Sequence, residues 1–314
     1  MNPATAGHGV HPRVAYQGEP GAFSEAALLR YLDGRARPVP CRDFRGVGEA
    51  LERGEAELGL LPVENSLAGS VQGAQDVLLS GRFRVLGETV SRIRHCLLGV
   101  PGACAEALRR VISHPVALAQ CTHFLARTGL EAVAAHDTAG AARQIAAGGD
   151  PGVGAIAARS AAGRYGLEVL AEDLQDRNDN QTRFFLISLA GDRTEEGPGS
   201  TEAPGAHEGP FKAVAALELE HRPGALFEAL RPFARHRLDL TRIESRPAGD
   251  PWRYRFLVEL TVPSDPGALK SAVEAVRSGG AGLTVLGSFV PDDRREPGRA
   301  FEGQAGVDGF VGRG

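Results

Sequence analysis

Residues 191–210 divide the chain, and this break limits the folds that the remaining sequence can adopt. The segment holds five glycines, three prolines and no large apolar side chain, so it cannot contribute to a core. The first eleven residues and residues 291–314 have the same character. The sequence therefore predicts two folded units, at residues 12–190 and 211–290, joined by a flexible linker and followed by a disordered tail.

The two units differ in their hydrophobic patterns. In residues 12–190, short apolar runs alternate with stretches of helical spacing, which is typical of an α/β fold with functional groups in the loops after strands. Residues 211–290 follow the order strand, helix, strand, strand, helix, strand. This βαββαβ order predicts a ferredoxin-like domain.

Composition excludes several classes of function. The chain has 35 basic and 39 acidic residues and a net charge of −4, so it has no basic field for nucleic acid or an anionic membrane. Only Lys212 and Lys270 are lysines, which removes Walker-type and Schiff-base chemistry from the first 211 residues. The sequence shows no signal peptide and no apolar stretch of membrane-spanning length, so we expect a cytoplasmic protein.

Metal and cofactor motifs are also weak. The four cysteines form no C-x-x-C pair, so we expect neither disulfides nor structural zinc. Residues 152–157 fit G-x-G-x-x-A but follow a helical stretch, which is the wrong context for a dinucleotide site. Residues 176–187 imitate the start of a calcium loop but lack its glycine and its final glutamate. The sequence predicts no bound metal and no cofactor.

Four polar segments lie at the ends of predicted elements in the larger unit. Residues 18–27, GEPGAFSEAA, lead from a strand into a helix that Ser24 could cap, and backbone amides there can approach a ligand. Glu64, Asn65 and Ser66 follow an apolar strand, although an ordinary turn explains Asn and Ser there equally well.

The other two segments add a histidine and an arginine. Ser113 and His114 precede a helix whose first position is Pro115, which suits ordinary capping or an anion site. Residues 182–184, Thr-Arg-Phe, open a strand, where a β-branched residue needs no functional explanation. Together the four segments offer groups suited to binding a small carboxylate-bearing molecule and to stabilising charge as it shifts.

The order and spacing of these segments resemble one enzyme family. GEPGAFSEAA, PVENSLAG, SHPVALAQC and NQTRF resemble prephenate dehydratase, and the smaller unit resembles its C-terminal ACT regulatory domain. The resemblance implies two α/β subdomains around a cleft, similar to periplasmic binding proteins of the second type. It also implies that prephenate loses water and carbon dioxide to give phenylpyruvate, without a cofactor.

The resemblance further implies roles for individual residues. The hydroxyl of Thr182 would donate a hydrogen bond to the departing ring oxygen, and Glu64 or His114 would be the proton donor if one exists. Arg183 would pair with a substrate carboxylate or form a structural ion pair. The expected catalytic residues are Thr182, Ser113, Asn65, Glu64 and His114, and the expected substrate-binding residues are Ser66, Gln120, Arg183, Phe184 and Ser24.

One position departs from the family pattern. Val116 stands where the family usually has Gln, which removes an amide donor and acceptor. We expect this position to decorate the helix surface rather than contact substrate.

The ACT resemblance implies regulation. Gly224, Ala225 and Leu226 match one phenylalanine-binding motif of the family, and a second motif is matched by Glu244, Ser245, Arg246 and Pro247. L-phenylalanine is the expected effector and feedback inhibitor. Because ACT units usually bind effectors where two copies meet, we expect a homodimer or a homotetramer.

Three other functions remain open at this point. The chain could use arogenate instead of prephenate and yield phenylalanine. It could be a non-catalytic sensor of amino acids or aromatic acids, although a pure sensor has no need of the Thr182 hydroxyl. It could also decarboxylate prephenate without dehydration, but such relatives tend to lack both the threonine and the ACT unit.

Overall fold

The computed structural model describes residues 11–191 and 209–292. The predicted flexible linker and disordered tail lie almost entirely outside these residues, as do residues 1–10. Three β-sheets form in the described part of the chain, two in the larger unit and one in the smaller. None of the helices in residues 11–191 and 209–292 is long and apolar enough to cross a membrane.

The larger unit alternates strands and helices along the chain. In order, its elements are β1 (Arg13–Gln17), α1 (Phe23–Tyr31), β2 (Arg37–Cys41), α2 (Phe44–Glu52), β3 (Leu58–Asn65), β4 (Gly69–Ser70), α3 (Gln72–Leu79), β5 (Phe83–Arg92), β6 (Cys96–Gly99), β7 (Arg110–Ser113), α4 (Pro115–Ala119), α5 (Thr122–Thr128), β8 (Glu131–Ala134), α6 (Thr138–Gly148), β9 (Val153–Ala157), α7 (Arg159–Tyr165), β10 (Glu168–Ala171) and β11 (Gln181–Leu189). A single 3₁₀ turn, Ala105–Ala107, precedes β7.

These elements form two lobes. The first lobe is a sheet in the order β2-β1-β3-β11-β5 with β4 added at β3, and the second is a sheet in the order β10-β6-β9-β7-β8. The chain passes between the lobes twice, once after β5 and once before β11. This arrangement confirms the expected two-subdomain α/β fold and leaves a cleft between the lobes.

The helical spacing of residues 116–129 predicts a single helix, but the structure has two helices there. α4 ends at Ala119 and α5 begins at Thr122. The Asp176 carboxylate accepts hydrogen bonds from the backbone N–H groups of Thr122 and His123, both at 2.9 Å. A residue distant in sequence thus caps α5.

A β-bulge interrupts the pairing of β3 with β11. Thr182 pairs with Asn65 and Arg183 with Glu64, but Phe184 pairs with Pro62, so Val63 is an extra residue. Because side chains alternate across a strand, the extra residue returns Asn65 to the face that carries Thr182.

The smaller unit confirms the βαββαβ prediction. Its sheet has the order β13-β14-β12-β15, and its two helices pack on one face of that sheet. The elements are β12 (Phe211–Glu218), α8 (Ala225–Arg235), β13 (Asp239–Ala248), β14 (Asp250–Val262), α9 (Pro266–Ser278) and β15 (Gly282–Phe289).

The other face of this sheet docks on the first lobe. Val214, Leu257 and Phe289 join the same apolar cluster as Phe185 and Ile187 of β11. Phe289 and Phe185 meet edge to face, with ring centroids 5.8 Å apart. The smaller domain therefore packs directly behind the strand that carries Thr182.

Candidate active site

The cleft between the lobes encloses a volume of about 550 Å³, which is within the usual range of small-molecule binding sites. Both lobes contribute to its walls. Its polar and charged lining side chains are Gln17, Ser24, Arg42, Asp43, Asn65, His95, His114, Gln120, His136, Asp137, Thr138 and Thr182.

Thr182 stands at the start of β11 and lines this cleft. Its Oγ1 accepts a hydrogen bond from Asn65 Nδ2 at 3.0 Å. The hydroxyl proton remains available, because a threonine hydroxyl has one donor besides its acceptor lone pairs. Thr182 can therefore donate a hydrogen bond into the cleft.

Gln120 belongs to the same network from the opposite lobe. Its Oε1 accepts a hydrogen bond from Asn180 Nδ2 at 2.9 Å and lies 3.0 Å from His95 Nε2. Asn180 Oδ1 in turn accepts from Asn65 Nδ2 at 2.8 Å. The two candidate substrate contacts, Thr182 and Gln120, are thus joined through the amides of Asn65 and Asn180.

His95 lies behind Gln120 and is only 2% exposed. Burial lowers the pKa of His95, and the hydrogen bond with Gln120 opposes that shift only in part. Burial therefore favours the neutral form of the imidazole.

This lowered pKa predicts a loss of stability in mild acid. Unfolded His95 binds a proton below about pH 6.5, whereas the folded imidazole resists protonation, so stability falls as pH drops below that value. Urea unfolding at about pH 7.5 and about pH 5.5 measures the change. His95→Gln should show a smaller decrease, and an equal decrease in both proteins would contradict the prediction.

His114 lies at the N-terminus of α4, where its Nδ1 accepts a hydrogen bond from the Val116 backbone N–H at 3.2 Å. Burial lowers the pKa of His114, while the charge of Asp137 opposes the shift. Val116 is 45% exposed and lines the cleft, so the expectation that it only decorates the helix is wrong. An apolar side chain replaces an amide at the cleft wall.

Arg42 is the arginine that lines the cleft. It follows β2 and is exposed. No ion pair to Arg42 occurs within residues 11–191 and 209–292, so its guanidinium is available to an anionic ligand.

Arg183 and Glu64 do not face the cleft, contrary to the expectation that they contact substrate. Arg183 is bound at 2.8 Å to Glu64, at 3.2 Å to Glu88 and at 2.6 Å to Glu259 of the docked smaller domain. Side chains alternate along β11, so Arg183 lies on the strand face that is opposite to the face carrying Thr182. The bulge places Glu64 on the same face as Arg183. The structural ion pair left open for Arg183 is what forms.

Three serines also differ from expectation. Ser113 is fully buried, does not line the cleft, and donates a hydrogen bond to the Ile156 carbonyl at 2.5 Å. Ser66 Oγ donates to the Asp179 carbonyl and accepts from the Gln181 backbone N–H, so it holds the segment before β11. Ser24 lines the cleft but does not cap α1, which begins after Ala22.

Phe184 is 1% exposed and lines the cleft, so it is both core and cleft wall. Sequence reasoning missed His95, Asn180 and Arg42. Asn180 belongs to the NQTRF motif, but the motif alone gives it no role in the site. Nothing in the sequence distinguishes His95 or Arg42, because each reaches the cleft only through tertiary folding.

The predicted effector residues divide between two faces of β13. Glu244 hydrogen-bonds Ser70 and Arg246 forms an ion pair with Asp76, so both contact the first lobe. Ser245 and Pro247 are exposed on the opposite face. Glu244 and Arg246 therefore already have partners in the first lobe, and their contact with an effector stays a prediction.

The other effector motif begins α8. Gly224 is its N-cap with φ +81°, a conformation that favours glycine. Ala225 lines a hollow between α8 and α9, to which neither β13 nor Leu226 contributes. Within the described residues of one chain, the two motifs do not share a pocket.

Comparison with known proteins identifies the family. The prephenate dehydratase family model matches residues 14–191, more than half of the chain, and the ACT domain model matches residues 214–278. The chain belongs to the prephenate dehydratase family. It is 40% identical over 302 residues to arogenate dehydratase 2 of Petunia hybrida, covering 91% of this chain and 74% of that protein.

Solved structures agree with the family fold. The prephenate dehydratase of Arthrobacter aurescens in complex with L-Phe has a TM-score of 0.78 and 29% identity, covering 90% of this chain and 91% of that one. GqqA, described as a novel type of quorum quenching acylase, has a TM-score of 0.77 and 31% identity, covering 90% and 98%. This prephenate dehydratase family member therefore carries the two-lobed dehydratase fold with a C-terminal ACT domain.

Proposed function

We propose that this chain is a prephenate dehydratase that forms phenylpyruvate in phenylalanine biosynthesis. The observation that carries the proposal is the Thr182 hydroxyl, which Asn65 holds at the cleft with its proton free to donate. Cleft volume, available donors and family membership support the same activity.

The reaction needs stabilisation of a leaving oxygen more than it needs a strong base. The ring carboxylate leaves as carbon dioxide, and the electrons of its C–C bond enter the ring. The ring C–O bond breaks, and the oxygen takes up a proton to become water. Thr182 donates a hydrogen bond to that oxygen as its charge grows, and the forming aromatic ring supplies the driving force.

The proton donor and the carboxylate contacts can be reassigned from geometry. Of the two titratable groups in the motifs, only His114 lines the cleft, so we assign any proton transfer to it. Gln120 Nε2 and the Arg42 guanidinium replace Arg183 as partners of the substrate carboxylates.

Arogenate is the second candidate substrate, because the Petunia hybrida relative is named for it. Arogenate carries an ammonium group where prephenate has a ketone, and Asp43 and Asp137 are carboxylates of the cleft. Initial rates with each substrate, measured as phenylpyruvate or phenylalanine formed, decide between the two. The proposal requires the higher kcat/KM for prephenate, and a higher value for arogenate would contradict it.

An acylase function, suggested only by the likeness to GqqA, has no support in the site geometry. Amide hydrolysis by a hydroxyl or a thiol requires a nucleophile beside a base. Within the described residues, the Thr182 and Ser113 hydroxyls contact an amide and a carbonyl instead of a histidine. Burial raises the pKa of the Cys121 thiol to about 12.

We infer that L-phenylalanine binds the ACT domain and inhibits turnover. The Arthrobacter aurescens relative was solved with L-Phe, and Gly224, Ser245 and Pro247 remain open on this chain. Because the two motifs do not share a pocket in one chain, we propose that a second copy completes the site, as a homodimer or a homotetramer. A cytoplasmic location remains a prediction from the sequence.

Gly224→Val should weaken inhibition by raising the half-inhibitory phenylalanine concentration by about tenfold or more, within the usual range of allosteric coupling. The valine adds bulk at the α8 N-terminus and cannot easily adopt φ +81°. Prephenate turnover at increasing phenylalanine concentrations measures the effect. Gly129→Val, at φ +67° with no neighbour within 4 Å of an added Cβ, controls for backbone strain. Equal inhibition of Gly224→Val and wild type would show that the effector site is elsewhere.

A further inference from the structure

The hydrogen-bond network of the cleft wall has only one possible assignment of donors and acceptors. Backbone N–H groups fix that assignment. Asn65 Oδ1 accepts from the N–H groups of Leu67 and Ala68, at 3.0 and 2.9 Å. Backbone N–H groups cannot become acceptors, so the Asn65 amide has one orientation. Its Nδ2 must then donate, and it reaches both Asn180 Oδ1 and Thr182 Oγ1.

The same logic passes to the second lobe. With its Oδ1 facing Asn65, Asn180 must present Nδ2 to Gln120, whose Oε1 accepts at 2.9 Å. His95 Nε2 lies 3.0 Å from the same oxygen, so this nitrogen must carry the proton of the neutral imidazole. Two donors thus hold Gln120 Oε1 in the wall of the cleft.

The opposite end of the Gln120 amide is left for a ligand. Gln120 lines the cleft, and its Nε2 has no partner in the part of the chain that the structure describes. An Nε2 group offers two N–H donors, which suit a carboxylate. If the amide were reversed, its oxygen would meet the carboxylate and repel it.

His95 is held where it can perform this task. Its backbone N–H donates to Gln175 Oε1 at 2.8 Å, and its ring meets Phe23 edge to face at 5.3 Å. Its Nδ1 is buried and has no hydrogen-bond partner among the described residues. The Nε2 proton is therefore the polar contribution of this side chain.

We propose that His95 and Asn180 are positioning residues that fix the Gln120 amide with Nε2 toward the substrate carboxylate. This inference rests on the proposed dehydratase function. His95 borders the cleft but is almost fully buried, and Asn180 does not line it, so each acts through the orientation of one amide. Because Asn65 also contacts Thr182, the leaving-group donor and the carboxylate donor share one network.

Two substitutions of His95 separate its donor from its bulk. The Nε2 of glutamine can occupy the place of imidazole Nε2, so His95→Gln keeps the donor to Gln120 while it loses the unpartnered Nδ1 and the ring contact with Phe23. The Nδ2 of asparagine occupies the place of Nδ1 and is too short to reach Gln120, so His95→Asn loses the donor. Both variants remove the aromatic ring. Their melting temperatures show whether the two proteins are equally stable.

We expect His95→Asn to raise KM for the preferred substrate by about tenfold, the loss associated with a hydrogen bond to a charged group. His95→Gln should stay within about threefold of wild type, with kcat little changed in both. Asn180→Asp should raise KM like His95→Asn, because a carboxylate facing Gln120 Oε1 would reverse the amide. In a Gln120→Met background, the two His95 variants should have equal KM.

The possible results separate this inference from the function on which it rests. Wild-type protein that converts neither prephenate nor arogenate would overturn both. An active wild type with equal KM for His95→Asn and His95→Gln would overturn the positioning role alone. A difference between these variants that persists in the Gln120→Met background would show that His95 acts by another route, which also overturns it.

Discussion

Thr182→Val should lower kcat by about a hundredfold or more while leaving KM within about threefold of wild type. Valine is nearly isosteric with threonine but cannot donate a hydrogen bond to the oxygen that leaves the ring. The lost interaction forms mainly as charge develops, so it affects turnover more than binding. Steady-state rates of phenylpyruvate formation measure both constants.

Matched variants show whether the hydroxyl itself is responsible. Thr182→Ser keeps the donor and should retain much more activity than Thr182→Val. Thr128→Val removes a hydroxyl that bonds the Phe124 carbonyl on α5, outside the cleft lining, and should leave both constants unchanged. A Thr182→Val protein with near wild-type kcat would remove Thr182 from the mechanism.

Arg183→Met should lower the free energy of unfolding by about 3 to 5 kcal/mol. The Arg183 side chain is 14% exposed, and its guanidinium binds Glu88 and Glu259, whose side chains are 5% and 3% exposed. Lys212 and Arg242 would remain as partners of these two carboxylates, but each carboxylate would lose a buried cation. Urea unfolding followed by circular dichroism measures the change.

Arg177→Met is the control for Arg183→Met. Arg177 and Asp179 form a pair in which both side chains are 63% exposed, so its loss should leave the free energy of unfolding nearly unchanged. At a temperature where Arg183→Met stays folded, its KM should remain within about threefold of wild type. A large rise in KM with unchanged stability would contradict the structural role of Arg183 and would show that Arg183 takes part in substrate binding.

The ion-pair cluster also connects the ACT domain to the catalytic strands. Arg242 of β13 binds Glu259 at 2.9 Å and donates to the Val63 carbonyl at 3.2 Å. Val63 is the bulged residue that directs Asn65 into the cleft. A change at β13 therefore has a direct physical route to the residues that hold Thr182.

Most of the fold could be predicted from the sequence, because hydrophobic periodicity indicates which face of a helix or strand is buried. The βαββαβ order and most strands of the larger unit follow from that pattern. The break between α4 and α5 does not, since the Asp176 carboxylate that caps α5 comes from a distant segment. A local pattern cannot reveal a cap supplied by tertiary contact.

The candidate site could be predicted only in part, because local sequence patterns do not reveal tertiary contacts. The motifs contain Thr182, Asn65 and Gln120. Adjacent residues in a strand point to opposite faces, however, so Arg183 lies on the face of β11 that is directed away from the cleft. The bulge at Val63 places Glu64 on the same face as Arg183, and sequence alone does not locate a bulge. His95 and Arg42 belong to no motif and are recognised only by where they lie.

The measurement that tests the central claim most directly follows two products of one reaction. Purified protein is incubated with prephenate, and carbon dioxide and phenylpyruvate are quantified in the same sample. The account predicts equal molar amounts of the two, since decarboxylation and dehydration form one aromatic ring together. Carbon dioxide without phenylpyruvate would indicate a decarboxylase, and the absence of both products would contradict the proposed prephenate dehydratase activity.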